Sequence, residues 1–283
     1  MSTTAPLSPP AGAAADWTIP QRWSDYSQGD HATWDLLYAR QTRQLPGLVV
    51  PDFMRGLRTL GMDSPGIPDF EALSARLQKL TGWSVICVPG LVPEEVFFEH
   101  LAHRRFVAGR FIRSAKQLDY LQEPDVFHDV FGHVPLLATP AYADYMQAYG
   151  RGGLRALQFG QIHRLAHLYW YTVEFGLIRT TGQLRLFGAG IVSSHGESHY
   201  ALYDPTPLRI AFDLRRVLQT AYEIDSYQKN YFVIDSFEDL LHQTVEVDFA
   251  AIYEQLRTLP DLSVATRLSS DRLFPPNRQP AGR

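Results

Sequence analysis

Glu123-Pro124-Asp125-Val126-Phe127-His128-Asp129-Val130-Phe131-Gly132-His133-Val134-Pro135 packs two histidines, three carboxylates and a glycine into one short proline-bounded stretch. Neutral imidazole nitrogens offered from one local segment are what a first-row transition metal needs, with a third ligand arriving from elsewhere in the chain. His128 and His133 are five apart. On an ideal α-helix they would diverge by about 140°. At least one of them is therefore expected at a helix start or an irregular turn, which Gly132 permits.

Two other histidine pairs compete. His163 and His167 are spaced i,i+4 on a helix expected over 161–178, and Glu174 follows on the same segment, so all three could share a face. The second half of that helix is almost wholly apolar, and a carboxylate buried there requires a partner, for which a cation would serve. His195 and His199 form a third pair with Glu197 between them. Spacing alone does not choose among the three. Two histidines and one carboxylate would leave positions open on the metal, the arrangement of non-haem Fe(II) oxygenases, whereas zinc is more often closed by a fourth protein ligand or carries one water. His100 and His103 stand beside Arg104-Arg105 on a face read as partly solvated, so no metal role is expected of them.

The chain has 283 residues, 45% of them hydrophobic, enough for a sizeable core. A net charge of -4 without a basic run gives no footprint for nucleic acid or an anionic membrane. The single cysteine, Cys87, excludes an internal disulfide framework and is expected to be a buried apolar residue in a reducing compartment. No stretch reaches the roughly 18 apolar residues of a membrane helix, so a cytoplasmic protein is expected. Residues 1–22 read as a disordered segment, 23–266 as one domain and 267–283 as a polar tail. Helices are expected from His31 to Leu45, over 70–81 with Asp69 as N-cap, from Pro93, over 140–150, over 205–222 and from 236 to about 259. Residues 83–88 and 231–234 read as strands, 182–194 as short strands around Gly188-Ala189-Gly190, and 46–68 as a link. The class is mainly α (α+β), a single compact helical domain with a few short β-strands.

Three motifs in order make a specific pattern: Glu123-Pro124-Asp125 through Gly132-His133-Val134-Pro135, then Tyr169-Trp170-Tyr171-Thr172-Val173-Glu174-Phe175-Gly176, then Gly188-Ala189-Gly190 with Ser193-Ser194 and Gly196-Glu197. Together they resemble the catalytic domain of the pterin-dependent aromatic amino acid hydroxylases. The resemblance implies Fe(II) ligation by His128, His133 and Glu174, and a tetrahydropterin co-substrate edged by Gly90-Leu91-Val92, stacked on Phe97 and near Asp129. It implies an amino acid site in which Arg113 pairs with the carboxylate, Gly190 and Ser193 help hold that end, and Pro124, Trp170 and Phe175 line the aromatic pocket. Tyr169 takes a supporting catalytic role. Asp129 departs from the family's usual glutamate, and Leu121 stands where the animal phenylalanine enzymes have threonine.

The short chain looks like the bacterial members acting on L-phenylalanine with O2 and tetrahydropterin, which implies hydroxylation to L-tyrosine by a monomer. Tyrosine or tryptophan hydroxylation is the nearest alternative. A zinc hydrolase using the same three ligands and an inert helical interaction protein are the readings from other classes.

Overall fold

The computed structural model describes residues 8–119 and 123–279. The chain is mainly helical, with six short strands among the described residues, and divides into two compact units. The first comprises residues 1–40 and 52–155, the second 41–51 and 156–283.

The first unit is built on α1 (Gln28–Gln44), α2 (Pro51–Thr59), α3 (Phe70–Thr81), β1 (Ser84–Val88), α4 (Glu94–Ala102), β2 (Arg105–Gly109), α5 (Val134–Leu137) and α6 (Pro140–Gln158). Asp69 caps α3 by accepting from the Glu71 amide at 2.8 Å, as its position predicts. β1 and β2 pair in parallel, from Ser84 opposite Arg105 to Val88 opposite Gly109. The segment between β2 and α5 carries a π-helical turn, Phe127–His133. Its apolar side is anchored by Phe127 and Phe131, stacked at 4.7 Å, with Trp34 of α1 edge-on to Phe127 and Phe53 of α2 edge-on to Phe131. All four rings are fully buried. α2 passes so close to the turn's exit that a Cβ on Gly56 would lie 2.1 Å from the Pro135 carbonyl oxygen.

The second unit contains α7 (Ile162–Tyr169), a second π-helical turn (Trp170–Glu174), β3 (Leu177–Thr180), β4 (Gln183–Leu186), α8 (Ala189–Ser193), α9 (Glu197–Tyr203), β5 (Leu208–Ala211), α10 (Leu214–Leu218), β6 (Asn230–Ile234), α11 (Phe237–Val245) and α12 (Phe249–Leu256). Its sheet has the order β4-β3-β6-β5: β3 and β4 form an antiparallel hairpin, and β6 runs parallel to β3 and β5. Every residue of β6 is buried, as the central strand of a covered sheet requires.

Several expectations are corrected. The linking segment contains α2, and β2 follows Arg104. Residues 182–194 hold one strand and then α8, and 205–222 hold β5 and a short helix instead of one long helix. The final helix breaks into α11 and α12, the second capped by Asp248. Residues 1–7 lie outside the described residues, but 8–22 do not match a disordered segment: Trp17 is 3% exposed and the Ile19 amide donates to the Cys87 carbonyl at 2.9 Å. The tail also packs. Leu273 bridges Ile210 antiparallel, Phe274 donates to the Arg209 carbonyl, and Asp271 pairs with buried Arg216 at 3.0 Å. Cys87 is buried, as expected.

Candidate metal centre and substrate site

The π-turn explains how histidines five apart can work together. Its backbone bonds run i→i+5, so residues five apart come to lie over one another. The His128 and His133 Nε2 atoms are 3.3 Å apart, with the rings edge-on at 5.1 Å. The other side of the turn is fixed by Phe127 and Phe131, and the Phe106 ring lies 4.9 Å from the His133 ring. The irregular turn expected from the spacing is therefore this π-turn.

Glu174 closes the second π-turn, directly after Trp170-Tyr171-Thr172-Val173. Its carboxylate and the two imidazoles each offer a ligand atom, and these atoms lie within 4.8 Å of one another. Among the described residues this is the one group of three or more such side chains. The competing pairs form no such group. His163 is exposed while buried His167 turns Nδ1 to the Leu218 carbonyl, and His195 and His199 are both exposed. Glu197 is buried and accepts from the Tyr231 hydroxyl at 2.6 Å and the Gln228 amide at 3.0 Å. His100 is not on a solvated face: it is 1% exposed with Nε2 2.8 Å from the Asp16 carbonyl oxygen, while His103 is exposed.

A nitrogen, nitrogen, oxygen donor set suits a first-row transition metal and leaves coordination positions for small ligands. The residues present thus fit a mononuclear iron.

Arg113 is buried and already engaged. Its Nε donates to Asp125 Oδ2 and its Nη2 to Oδ1, both at 2.8 Å. Its backbone amide also reaches Oδ2, at 2.9 Å. Asp125 is fully buried and accepts a further bond from the His128 amide at 3.0 Å. Burial alone would push its carboxyl up, but the Arg113 guanidinium and the two amides hold it below the usual carboxylate range. Asp125 received no role from the sequence, although a carboxylate three residues before a turn is a common amide acceptor.

Asp129 Oδ2 accepts from the Gly109 amide at 2.8 Å, and burial pushes its carboxyl up to about 6 against the pull of His128 and that amide. Phe97 lies half-buried on α4, its ring 5.6 Å from Phe98, and Leu91 is 44% exposed beside Gly90 and Val92. A Cβ on Gly90 would stand 3.7 Å from Glu123 Oε1. Pro124 is exposed, and Leu121 lies outside the described residues.

In the second unit, Trp170 and Phe175 meet at 4.7 Å between ring centroids, and Tyr222 stacks on Trp170 at 4.2 Å and 15°. Trp170 Nε1 donates to Gln228 Oε1 at 2.9 Å. Gly190 is needed here, because a Cβ would come 2.8 Å from Phe175 Cζ. Ser193 Oγ donates to the Ala189 carbonyl at 2.7 Å, and Tyr169 ends α7. Tyr222 and Gln228 were not singled out in the sequence, where no motif marks them.

The family model for biopterin-dependent aromatic amino acid hydroxylases matches residues 16–256. Phenylalanine-4-hydroxylase of Caulobacter vibrioides is 57% identical over 266 residues, covering 94% of this chain and 90% of that protein. Its counterpart from Chromobacterium violaceum is 54% identical over 243 residues, covering 86% and 82%. The crystal structure of phenylalanine hydroxylase from Chromobacterium violaceum bound to cobalt superposes with a TM-score of 0.90 at 50% identity, covering 95% of both chains. Matched in sequence and in fold over most of its length, the chain belongs to the biopterin-dependent aromatic amino acid hydroxylases.

Proposed function

We propose that this protein hydroxylates L-phenylalanine to L-tyrosine, consuming O2 and a tetrahydropterin at an Fe(II) centre held by His128, His133 and Glu174. The observation that carries the reading is the meeting of two imidazoles and one carboxylate within 4.8 Å, in a chain 57% identical to a phenylalanine-4-hydroxylase. Bound there, ferrous iron and the pterin supply the oxygen activation, which is cofactor chemistry.

The protein's own part is positioning. Asp125 occupies Nε and one hydrogen of Nη2 of Arg113, and the Leu118 carbonyl accepts from Nη1 at 3.4 Å, so the substrate carboxylate is taken at the hydrogens that remain on Nη1 and Nη2. Trp170 and Phe175 form the aromatic wall with Pro124, and Gly190 and Ser193 hold the amino acid end. Phe97 stacks on the pterin, with Gly90, Leu91 and Val92 along its edge and Asp129 near it, while Tyr169 supports the centre. The catalytic body is taken as residues 23–266, with Trp17 and Ile19 before it and Asp271, Leu273 and Phe274 after it packed against that body.

Iron content measured together with tyrosine formation dependent on phenylalanine, O2 and tetrahydropterin tests the proposal. Preference for tyrosine or tryptophan as substrate would overturn the assignment within the family. Activity restored by zinc but not by ferrous iron would overturn the oxygenase reading. The protein is further read as a monomer, and as cytoplasmic, the latter in keeping with its single buried cysteine; none of the described helices is long and apolar enough to cross a membrane. Light scattering of the purified chain checks the monomer.

A further inference from the structure

Trp170 is half-buried, and stacking restrains it on only some of its degrees of freedom. Contact with Tyr222 at 15° fixes the plane of the indole but lets the ring turn within that plane. The Phe175 ring, 4.7 Å away and tilted by 35°, adds an apolar contact, and the directional restraint is the one polar atom, Nε1, a donor only, which reaches Gln228 Oε1 at 2.9 Å.

Gln228 is itself locked. It is 3% exposed, and its Nε2 donates to the Glu223 carbonyl at 2.9 Å and the Ser226 carbonyl at 3.3 Å. With both amide hydrogens facing carbonyls, the flipped amide would set donor against donor at Trp170 and acceptor against acceptor at Glu223, so the orientation is determined by its partners. The Gln228 backbone N–H is held in turn by Glu197, which also takes the Tyr231 hydroxyl. A buried carboxylate, a locked amide and an indole thus form one chain of hydrogen bonds. A glutamine that only braced its own loop would need the two carbonyl contacts but not the third, to the ring.

We infer that Gln228 is a positioning residue for substrate selection, holding the Trp170 indole N–H and so fixing the ring that walls the aromatic pocket. The inference rests on the reading above that Trp170 lines that pocket.

The test is a double-mutant cycle with Gln228→Met and Trp170→Phe, read by the KM for L-phenylalanine, the KM for tetrahydropterin and the preference for L-phenylalanine over L-tryptophan. Gln228→Met removes the acceptor at nearly constant volume. It is expected to raise the amino acid KM roughly three- to tenfold, the worth of one such bond, to relax the preference, and to leave the pterin KM close to the parent's. Gln228→Glu keeps an acceptor for the indole but sets acceptor against acceptor at the Glu223 and Ser226 carbonyls, so the lock is lost and the amino acid KM is expected to rise here too. In the Trp170→Phe background, Gln228→Met should add nothing. Should Gln228→Met fail to fold, Gln228→Asn withdraws the acceptor by one methylene and takes its place. An undiminished effect of Gln228→Met in that background, equal rises in both KM values, or no rise at all overturns the inference. Trp170→Phe alone leaving the amino acid KM and the preference unchanged would instead overturn the placement of Trp170 in the pocket.

Discussion

Asp125 holds Arg113 by three bonds, to the backbone N at 2.9 Å and to Nε and Nη2 at 2.8 Å each. The same carboxylate accepts the His128 amide, so the guanidinium and the first histidine of the π-turn are referenced to one pair of oxygens. The Arg113 and Asp125 side chains are 8% and 0% exposed. Asp125→Ala strands a buried guanidinium, and a loss of about 3–5 kcal/mol in urea unfolding is expected. A variant within about 1 kcal/mol of the parent, the size of a surface pair, would show that the buried pair has no such role.

Replacing His133 by alanine removes a ligand while leaving Phe127 and Phe131 to hold the turn. Iron affinity should fall by more than about 100-fold, beyond what the loss of an outer partner costs, with the circular dichroism spectrum unchanged. Retention of stoichiometric iron after dialysis would exclude His133 as a ligand.

Gly56→Ala drives a methyl group into the Pro135 carbonyl, a backbone atom that cannot step aside without moving the exit of the π-turn. Destabilisation of about 1–3 kcal/mol or more is expected, visible as a lower melting temperature. An unaltered melting temperature would mean that α2 does not pack at this distance.

Asp271 pairs with Arg216, whose side chain is 6% exposed and also donates to the Thr266 carbonyl and the Thr220 hydroxyl. Asp271→Ala should cost about 3–5 kcal/mol. Cutting the chain after residue 266 should cost at least as much, since it also removes the strand-like contacts of Leu273 and Phe274. Unchanged urea midpoints would show that this polar tail adds nothing to stability.

Burial pushes the Glu197 carboxyl up, although the Tyr231 hydroxyl and the Gln228 amide pull the other way. With its folded pKa raised, its contribution to stability is fully present below the unfolded glutamate value and is lost as pH rises through the folded one. Glu197→Gln keeps an oxygen acceptor for both partners and does not ionise. Relative to the parent it should therefore gain stability as pH is taken from about 5 to about 8. A stability difference that is flat across that range would argue against a raised pKa.

The helices with strong local signals were legible. Asp69 and Gly82 bracket α3, and the capping pattern at Ser236 starts α11 where expected. What was not legible depends on contacts distant in sequence. α2 carries proline and glycine and is held by its approach to Pro135. β2 exists because β1 pairs with it, and Arg104-Arg105 hid it. Leu208–Ala211, with Arg209 inside it, is too short for pattern alone to assign to helix or strand. It becomes a strand beside β6. In the site, the three histidine pairs were equivalent by spacing. Burial and approach separate them, since among the described residues only His128 and His133 join a carboxylate in a group of three ligand atoms. Asp125 and Gln228 act through atoms that no motif records.

The π-turn at Phe127–His133 has a consequence for how this chain can tolerate change in length. Four residues apart on an α-helix also share a face, so loss of Gly132, the one position between His128 and His133 that leaves Phe127 and Phe131 at their spacing, could be absorbed by ordinary winding, with both rings still aligned. Gain of one residue there has no comparable remedy, and neither does loss of one between Phe127 and Phe131, whose stack faces the core. Insertions and deletions in this stretch are thus filtered by winding, one way round and not the other.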